Sequence, residues 1–207
     1  MGDALPAYTA IVLAGGQGSR MQGQDKGLVQ AGKKRLIDHA LARLQAQTLA
    51  PQTILISANR NVSTYAKLGL PVLTDSMQDY PGPLAGFLTG MQHCQTSWLL
   101  SVPCDSPNFP QDLAERLLAQ AMRDSTDIVI AADRSSQGEQ RKQAVFCLMR
   151  ARLAQDLSAF MLAGERKIGA WVAGHPHSVV CFDQSGDNPM AFFNVNSADE
   201  LSQLASP

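Results

Sequence analysis

Residues 8–13, Tyr-Thr-Ala-Ile-Val-Leu, form a short apolar run that passes without a spacer into Ala14-Gly15-Gly16-Gln17-Gly18-Ser19-Arg20. A run with β-branched residues that stops at a glycine cluster predicts a buried strand feeding a tight loop. A strand that is apolar on both faces belongs in a parallel sheet covered by helices, not in a one-sided antiparallel one. The rest of the chain alternates in the same sense. Leu36, Ile37, Ala40, Leu41 and Leu44 recur at helical spacing, and residues 53–57 repeat the strand pattern. A short helix over 62–68 and a short strand over 72–73 follow. A helix over 84–94 starts after the breaker-rich Pro81-Gly82-Pro83, and 98–102 is a third substantial strand. Leu113, Leu117, Leu118 and Ala121 mark a helix opened by Pro110 and capped near Gln111 or Asp112. Strands over 127–132 and 144–149 flank a polar spacer at 133–142, with helix over 153–162, an extended 178–182 and a closing helix at 198–204. The expected fold is α/β: one three-layer α/β/α domain spanning 1–207. Its sheet is mostly parallel, with an antiparallel addition from the two adjacent strands.

The 207 residues, 45% hydrophobic and 17% charged, suffice for the core of one such domain. With 17 basic and 18 acidic residues and no basic cluster, the chain lacks the footprint of a nucleic-acid or membrane-surface protein. Met1-Gly2-Asp3-Ala4-Leu5-Pro6 has neither the basic start nor the apolar run of a leader, and no apolar stretch approaches the ~20 residues of a membrane span. A cytoplasmic setting is the expectation. The cysteines at 94, 104, 147 and 181 contain no C-x-x-C pair, so they read as reduced thiols and not as a zinc or disulfide framework. His175-Pro176-His177 reads as a loop.

In a doubly wound sheet, ligands bind beyond the carboxyl ends of the strands. Gly15, Gly16 and Gly18 let backbone N–H groups approach an anion there, while Arg20 and Lys26 add full positive charge. Together they describe a cradle for a polyphosphate. A dinucleotide fingerprint would need glycine or alanine where Met21 stands, and a Walker loop would need a G-K-[ST] trio that is missing. A ligand-free turn needs neither three glycines nor two cations.

Asp105, in Pro103-Cys104-Asp105-Ser106-Pro107, follows the 98–102 strand and faces the same crevice. Mg²⁺ at a phosphate site is usually held by one or two carboxylates plus phosphate oxygens, so Asp105 is the candidate metal ligand; a turn-forming aspartate is the alternative. Asn59 and Asp75 end two other strands at this edge, where a base or ribose would lie, and on residues alone a turn role stays open. Gly82 and Gly86 allow close backbone approach at a helix start. Asn194 and Asn196 alternate onto one face of an extended segment, where paired amides suit a polar heterocycle or, equally, a helix cap.

The run over 13–21 resembles the signature of nucleotidyltransferases with a glycosyltransferase-A-like, Rossmann-like fold. Its extension Gly23-Gln24-Asp25-Lys26-Gly27-Leu28 is similar to the molybdenum cofactor guanylyltransferases, and motifs from 13 to 197 fall in that family's order. The resemblance implies an enzyme that transfers GMP from GTP, with Mg²⁺, to the terminal phosphate of molybdopterin and releases pyrophosphate. It implies a nucleotide site of Leu13, Ala14, Gly15, Gly16, Gly18, Arg20, Lys26, Asn59, Asp75 and Asp105. It implies an acceptor (pterin) side of Gly82, Gly86, Arg166, Asn194 and Asn196, with catalysis on Arg20, Lys26 and Asp105. Transient partners among cofactor-biosynthesis proteins and molybdoenzyme chaperones are a further implication. An anionic phosphate nucleophile needs no general base, in keeping with the absence of any His or Cys constellation. Rival readings are cytidylyl transfer to the same cofactor, a sugar-phosphate nucleotidyltransferase, and a non-catalytic nucleotide- or cofactor-binding protein. The Gly15-Gly16 pair favours the guanylyl reading, since the rival transferases commonly have alanine before glycine there.

Overall fold

The structure, a computed structural model, describes residues 4–14, 25–75, 82–135 and 137–195. In chain order its elements are β1 (Tyr8–Leu13), a small hairpin of β2 (Gln30–Ala31) and β3 (Lys34–Arg35), α1 (Leu36–Gln45), β4 (Thr53–Ser57), α2 (Val62–Ala66), β5 (Val72–Leu73) and α3 (Pro83–His93). There follow β6 (Trp98–Pro103), α4 (Leu113–Asp124), β7 (Ile128–Arg134), β8 (Gln140–Arg150), α5 (Ala154–Leu162), α6 (Ile168–Ala173) and β9 (His177–Cys181).

Seven strands form one sheet in the order β5-β4-β1-β6-β8-β7-β9. The pairs β5–β4, β4–β1, β1–β6 and β7–β9 are parallel, and β8 runs antiparallel to both of its neighbours. Alternate residues of each strand feed opposite faces, which is why the central strands β1, β4 and β6 read as largely apolar runs. Tyr8, Ala10 and Val12 join Trp98, Leu100 and Val102 in a core under α1 and α4. Ile11, Leu99, Ile128, Ile130 and Met149 pack on the other side against α3, α5 and α6. The result is the expected three layers.

The helices follow their apolar stripes. All five of Leu36, Ile37, Ala40, Leu41 and Leu44 are buried on α1, and the Asp38 carboxylate accepts from the Arg35 backbone N–H at 3.0 Å, closing the first turn. Asp112 stands at the α4 start as expected, but its side chain makes no capping bond. The buried Gln47 does so instead, its Oε1 accepting from the Ala114 N–H at 3.1 Å.

Two features differ from the sequence reading. The polar segment 133–142 is largely ladder: β7 and β8 extend through it as one hairpin, held where the Asp133 carboxylate meets Arg141. The antiparallel addition expected from the two adjacent strands is present, and β8 sits inside the sheet between β6 and β7. A short helix, α6, has formed where no periodicity announced one. Burial of Trp171 and Val172 and a 2.8 Å bond from Trp171 Nε1 to Asp156 hold it. The helix expected at 198–204 lies outside the described residues. Among the described residues no helix is long and apolar enough to cross a membrane.

Candidate functional site

The carboxyl ends of β1 and β6, the start of α3, a bulged part of β8 and the segment around Asn194 enclose a cavity of about 490 Å³. Its floor is Leu13 and Ala14 from β1 with Pro103, Cys104 and Asp105 from β6. The strand order dictates this, since β1 and β6 are neighbours and both run toward the same edge.

Lys26 enters from a single 3-10 turn, Lys26–Leu28, built on Asp25. The Asp25 carboxylate accepts from the Gly27 N–H at 3.2 Å, from the Tyr65 hydroxyl at 2.6 Å and from Asn61 Nδ2 at 3.1 Å. Tyr65 is fully buried, and burial together with the Asp25 carboxylate pushes its phenol well above the usual range, so it stays a donor. Gly27 is required here: a Cβ would collide with the Tyr65 hydroxyl oxygen. The turn thus delivers Lys26 Nζ to Asp105 Oδ2 at 2.5 Å.

Asp105 is held from two directions. The Cys104 N–H bonds to the Leu13 carbonyl at 3.2 Å, and the Val195 N–H bonds to the Asp105 carbonyl at 2.7 Å. Ser106 Oγ donates to Asn194 Oδ1 at 2.5 Å, which ties the C-terminal segment to the aspartate loop. Burial, reinforced by the neighbouring Asp105, pushes the Cys104 thiol up, so it is a neutral wall residue and no nucleophile. On the other side of β1, Asn59 and Asp75 bond reciprocally. Asn59 Nδ2 donates to Asp75 Oδ2 at 2.7 Å, and the Asp75 N–H donates to Asn59 Oδ1 at 2.8 Å.

Of the residues singled out from sequence, Leu13, Ala14, Lys26, Gly82, Asp105 and Asn194 line this one cavity. Asn59 and Asp75 form their pair beside it. Gly82, at φ 130°, sets the entry to α3, with Pro83 in the first turn. Gly86 is placed differently from the sequence reading: it faces the sheet, where a Cβ would lie 2.6 Å from Leu13 Cδ2, and does not line the cavity. Arg166 is exposed in the connection from α5 to α6 and is likewise not among the lining residues. Gly15, Gly16, Gly18, Arg20 and Asn196 lie outside the described residues.

The sequence reading missed one wall. Gln143, Ala144, Val145 and Phe146 line the cavity from β8. Ala131 pairs with Gln143 while the adjacent Ile130 pairs with Cys147, so residues 144–146 bulge out of the ladder. An apolar run such as 144–149 carries no mark of a bulge. It also missed the Asp25–Tyr65 support, whose only signal was an aspartate next to Lys26.

Residues 10–205 match the family of the MobA-like NTP transferase domain. The chain belongs to that family. It is 49% identical over 201 residues to the molybdenum cofactor guanylyltransferase of Acidovorax sp. (strain JS42), covering 95% of this chain and 94% of that protein. The enzyme of the same name from Albidiferax ferrireducens is 46% identical over 206 residues, 97% of each chain. Among solved structures, the molybdopterin-guanine dinucleotide biosynthesis protein A from Archaeoglobus fulgidus superposes with a TM-score of 0.70 at 20% identity, covering 94% of this chain and 95% of that one. CMP:2-keto-3-deoxy-manno-octonic acid synthetase gives a TM-score of 0.69 at 12% identity over 97% of each chain, and so shares the nucleotidyltransferase fold.

Family membership raises the question of a divalent cation. Lys26 occupies Asp105 Oδ2, and among the described residues nothing bonds to Oδ1. Lysine carries three donors, so Lys26 can keep this bond and still meet a phosphate. The side chains therefore fit a cation held by one carboxylate and completed by phosphate oxygens and water. Among the described residues there is no cluster of three or more His, Cys, Asp or Glu able to form an all-protein metal cage.

Proposed function

We propose that this protein transfers GMP from GTP to the terminal phosphate of the molybdopterin cofactor, releasing pyrophosphate and forming the guanine dinucleotide cofactor. The observation that carries the reading is the Lys26–Asp105 pair at the end of β6. It stands between the Asn59–Asp75 rim on the β4–β5 side and the bulged wall of β8 on the other.

In this reading the guanine nucleotide lies toward Asn59 and Asp75, with its triphosphate over the end of β1. An oxygen of the acceptor phosphate attacks the α-phosphorus, and the bond from that phosphorus to the bridging α–β oxygen breaks. The electron pair leaves with pyrophosphate. Lys26, with Arg20 from the glycine-rich loop, neutralises the charge that grows on the leaving group. Asp105 would hold Mg²⁺, which when bound supplies charge neutralisation across the phosphates. No residue has to remove a proton, because the nucleophile is already an anion. Positioning and electrostatics carry the rate. Gly82 and Asn194, with Arg166 and Asn196, belong to the acceptor side.

We further read the chain as one domain over 1–207, its N-terminal part serving the nucleotide and its C-terminal part the pterin. The reaction belongs in the cytoplasm, where buried thiols such as Cys104 and Cys147 stay reduced, with transient contacts to proteins that supply and collect the cofactor.

The test is a panel of GTP, CTP and UTP with Mg²⁺, read by thermal shift and by pyrophosphate release with and without molybdopterin. GTP should give the largest shift and acceptor-dependent release. A larger response to CTP would overturn the guanylyl assignment, and release that ignores the acceptor would overturn the transferase reading.

A further inference from the structure

We infer that Gln143 recognises the acceptor's heterocycle through its side-chain carbonyl, in an orientation set by the buried Asp133. The inference rests on the transfer reaction proposed above and assigns a specificity residue to its acceptor half. The β7–β8 register puts Asp133 opposite Arg141 and Ala131 opposite Gln143, so one carboxylate reaches both β8 side chains. Asp133 is 4% exposed. Arg141 meets it with a fork, Nε to Oδ1 at 3.0 Å and Nη2 to Oδ2 at 2.5 Å, while Gln143 Nε2 donates to Oδ1 at 3.1 Å.

The guanidinium alone satisfies the charge and both oxygens of a buried carboxylate. The bond from Gln143 is additional, and its consequence is orientational. A carboxylate paired with a guanidinium only accepts, so the amide must turn its NH₂ toward Asp133. The amide of a glutamine on a cavity wall is otherwise free to flip; this one is not. One N–H is thereby committed to Asp133, and Oε1 becomes a fixed acceptor, with the second N–H as a donor beside it.

The sheet order says which ligand. Gln143 stands on β8, across β6 and Asp105 from the Asn59–Asp75 rim. A nucleotide on the β4–β5 side leaves the β8 side for the molecule that attacks. A fixed acceptor there selects a heterocycle edge that presents N–H donors, such as an amino or lactam N–H of an aminopyrimidinone. It opposes an edge that presents lone pairs.

The test compares Gln143→Met, Asp133→Asn and the double variant in the molybdopterin-dependent pyrophosphate assay, with urea melts to verify folding. Gln143→Met, similar in length but without the acceptor, should raise the acceptor KM about tenfold, the worth of one well-placed hydrogen bond, and leave the GTP KM within about twofold. Asp133→Asn should raise the acceptor KM by about threefold, and in the double variant it should add nothing further, because its effect acts through Gln143. An unchanged acceptor KM in Gln143→Met, or a GTP KM that rises in step with it, overturns the assignment. Effects that multiply in the double variant overturn the positioning role of Asp133. Should Asp133→Asn fail to fold, Gln143→Met alone decides. A wild-type enzyme that releases no pyrophosphate in response to the acceptor would remove the transfer reading itself, which separates that failure from this one.

Discussion

Helix α3 lies against the sheet with Gly86 and Gly90 one turn apart, and alanine at these two positions should act in different ways. Glycine inside a helix costs about 1 kcal/mol relative to alanine, so either substitution starts with that gain. At Gly90 the new Cβ would lie 2.7 Å from Leu99 Cδ2 and 2.9 Å from Ile11 Cδ1, and both side chains are fully buried. Neither can retreat, so overpacking in the upper part of the usual range, about 2–3 kcal/mol, opposes the gain, and Gly90→Ala should lose about 1–2 kcal/mol net. At Gly86 the new Cβ would lie 2.6 Å from Leu13 Cδ2 and 3.2 Å from Ser57 Oγ. Leu13 is only half-buried and lines the cavity, so its end can swing outward at about 0.5–1.5 kcal/mol of rotamer strain, roughly cancelling the helix gain. Gly86→Ala should therefore keep near wild-type stability but displace Leu13 into the nucleotide space, with a GTP KM several-fold higher. Urea denaturation read by the buried Trp98 and Trp171 measures the first quantity, at unchanged m-value, and steady-state kinetics measures the second. A neutral Gly90→Ala, or a Gly86→Ala less stable than Gly90→Ala, would refute the packing argument.

Asp105→Ala should lower kcat/KM by at least about a hundredfold, on the scale of losing one preorganised electrostatic group, while the urea midpoint holds; activity within tenfold of wild type would count against the Lys26–Asp105 centre. Tyr65→Phe removes a bond to a carboxylate that water can partly replace, so we expect about 1.5 kcal/mol and a melting temperature lower by about 3–6 °C; an unchanged melt would mean that the Asp25 turn holds itself. The Arg35 guanidinium, bonded to Asp38, holds that carboxyl below its ordinary value. A depressed pKa contributes stability above the unfolded value of about 4, which is lost as pH falls through the lower folded value. The pair is partly exposed, so the effect is at most about 1 kcal/mol, and Asp38→Asn should flatten the acid limb of the stability curve by that amount; an identical acid limb would refute it.

Elements whose signal is local were legible. The stripe on α1 and the apolar runs of β1, β4 and β6 repeat at the period of the structure they form, and burial on both faces leaves no polar interruption to confuse them. Elements that depend on distant partners were not. The hairpin through 133–142 looks like a solvated loop because its support, Asp133 with Arg141 and Arg134 with Asp183, is ionic and reaches to another strand end. The cap of α4 comes from Gln47, far upstream in the chain. Gly86 shows the same limit within a motif: a glycine signals close approach without saying to what, and here the neighbour is Leu13.

For the site, the amino-acid sequence by itself determined the chemical inventory: a glycine-rich loop, two cations, an aspartate at a strand end, and amides near the C-terminus. Their types follow from the chemistry of holding a charged phosphate chain, and they can be read without knowing where they sit. Only the tertiary structure brought Lys26 onto Asp105 across 79 residues, put the β8 bulge opposite the Asn59–Asp75 rim, and turned Gln143 toward Asp133. Those relations depend on strand order and register, which arise when the whole sheet closes its two cores and which no local stretch of residues encodes.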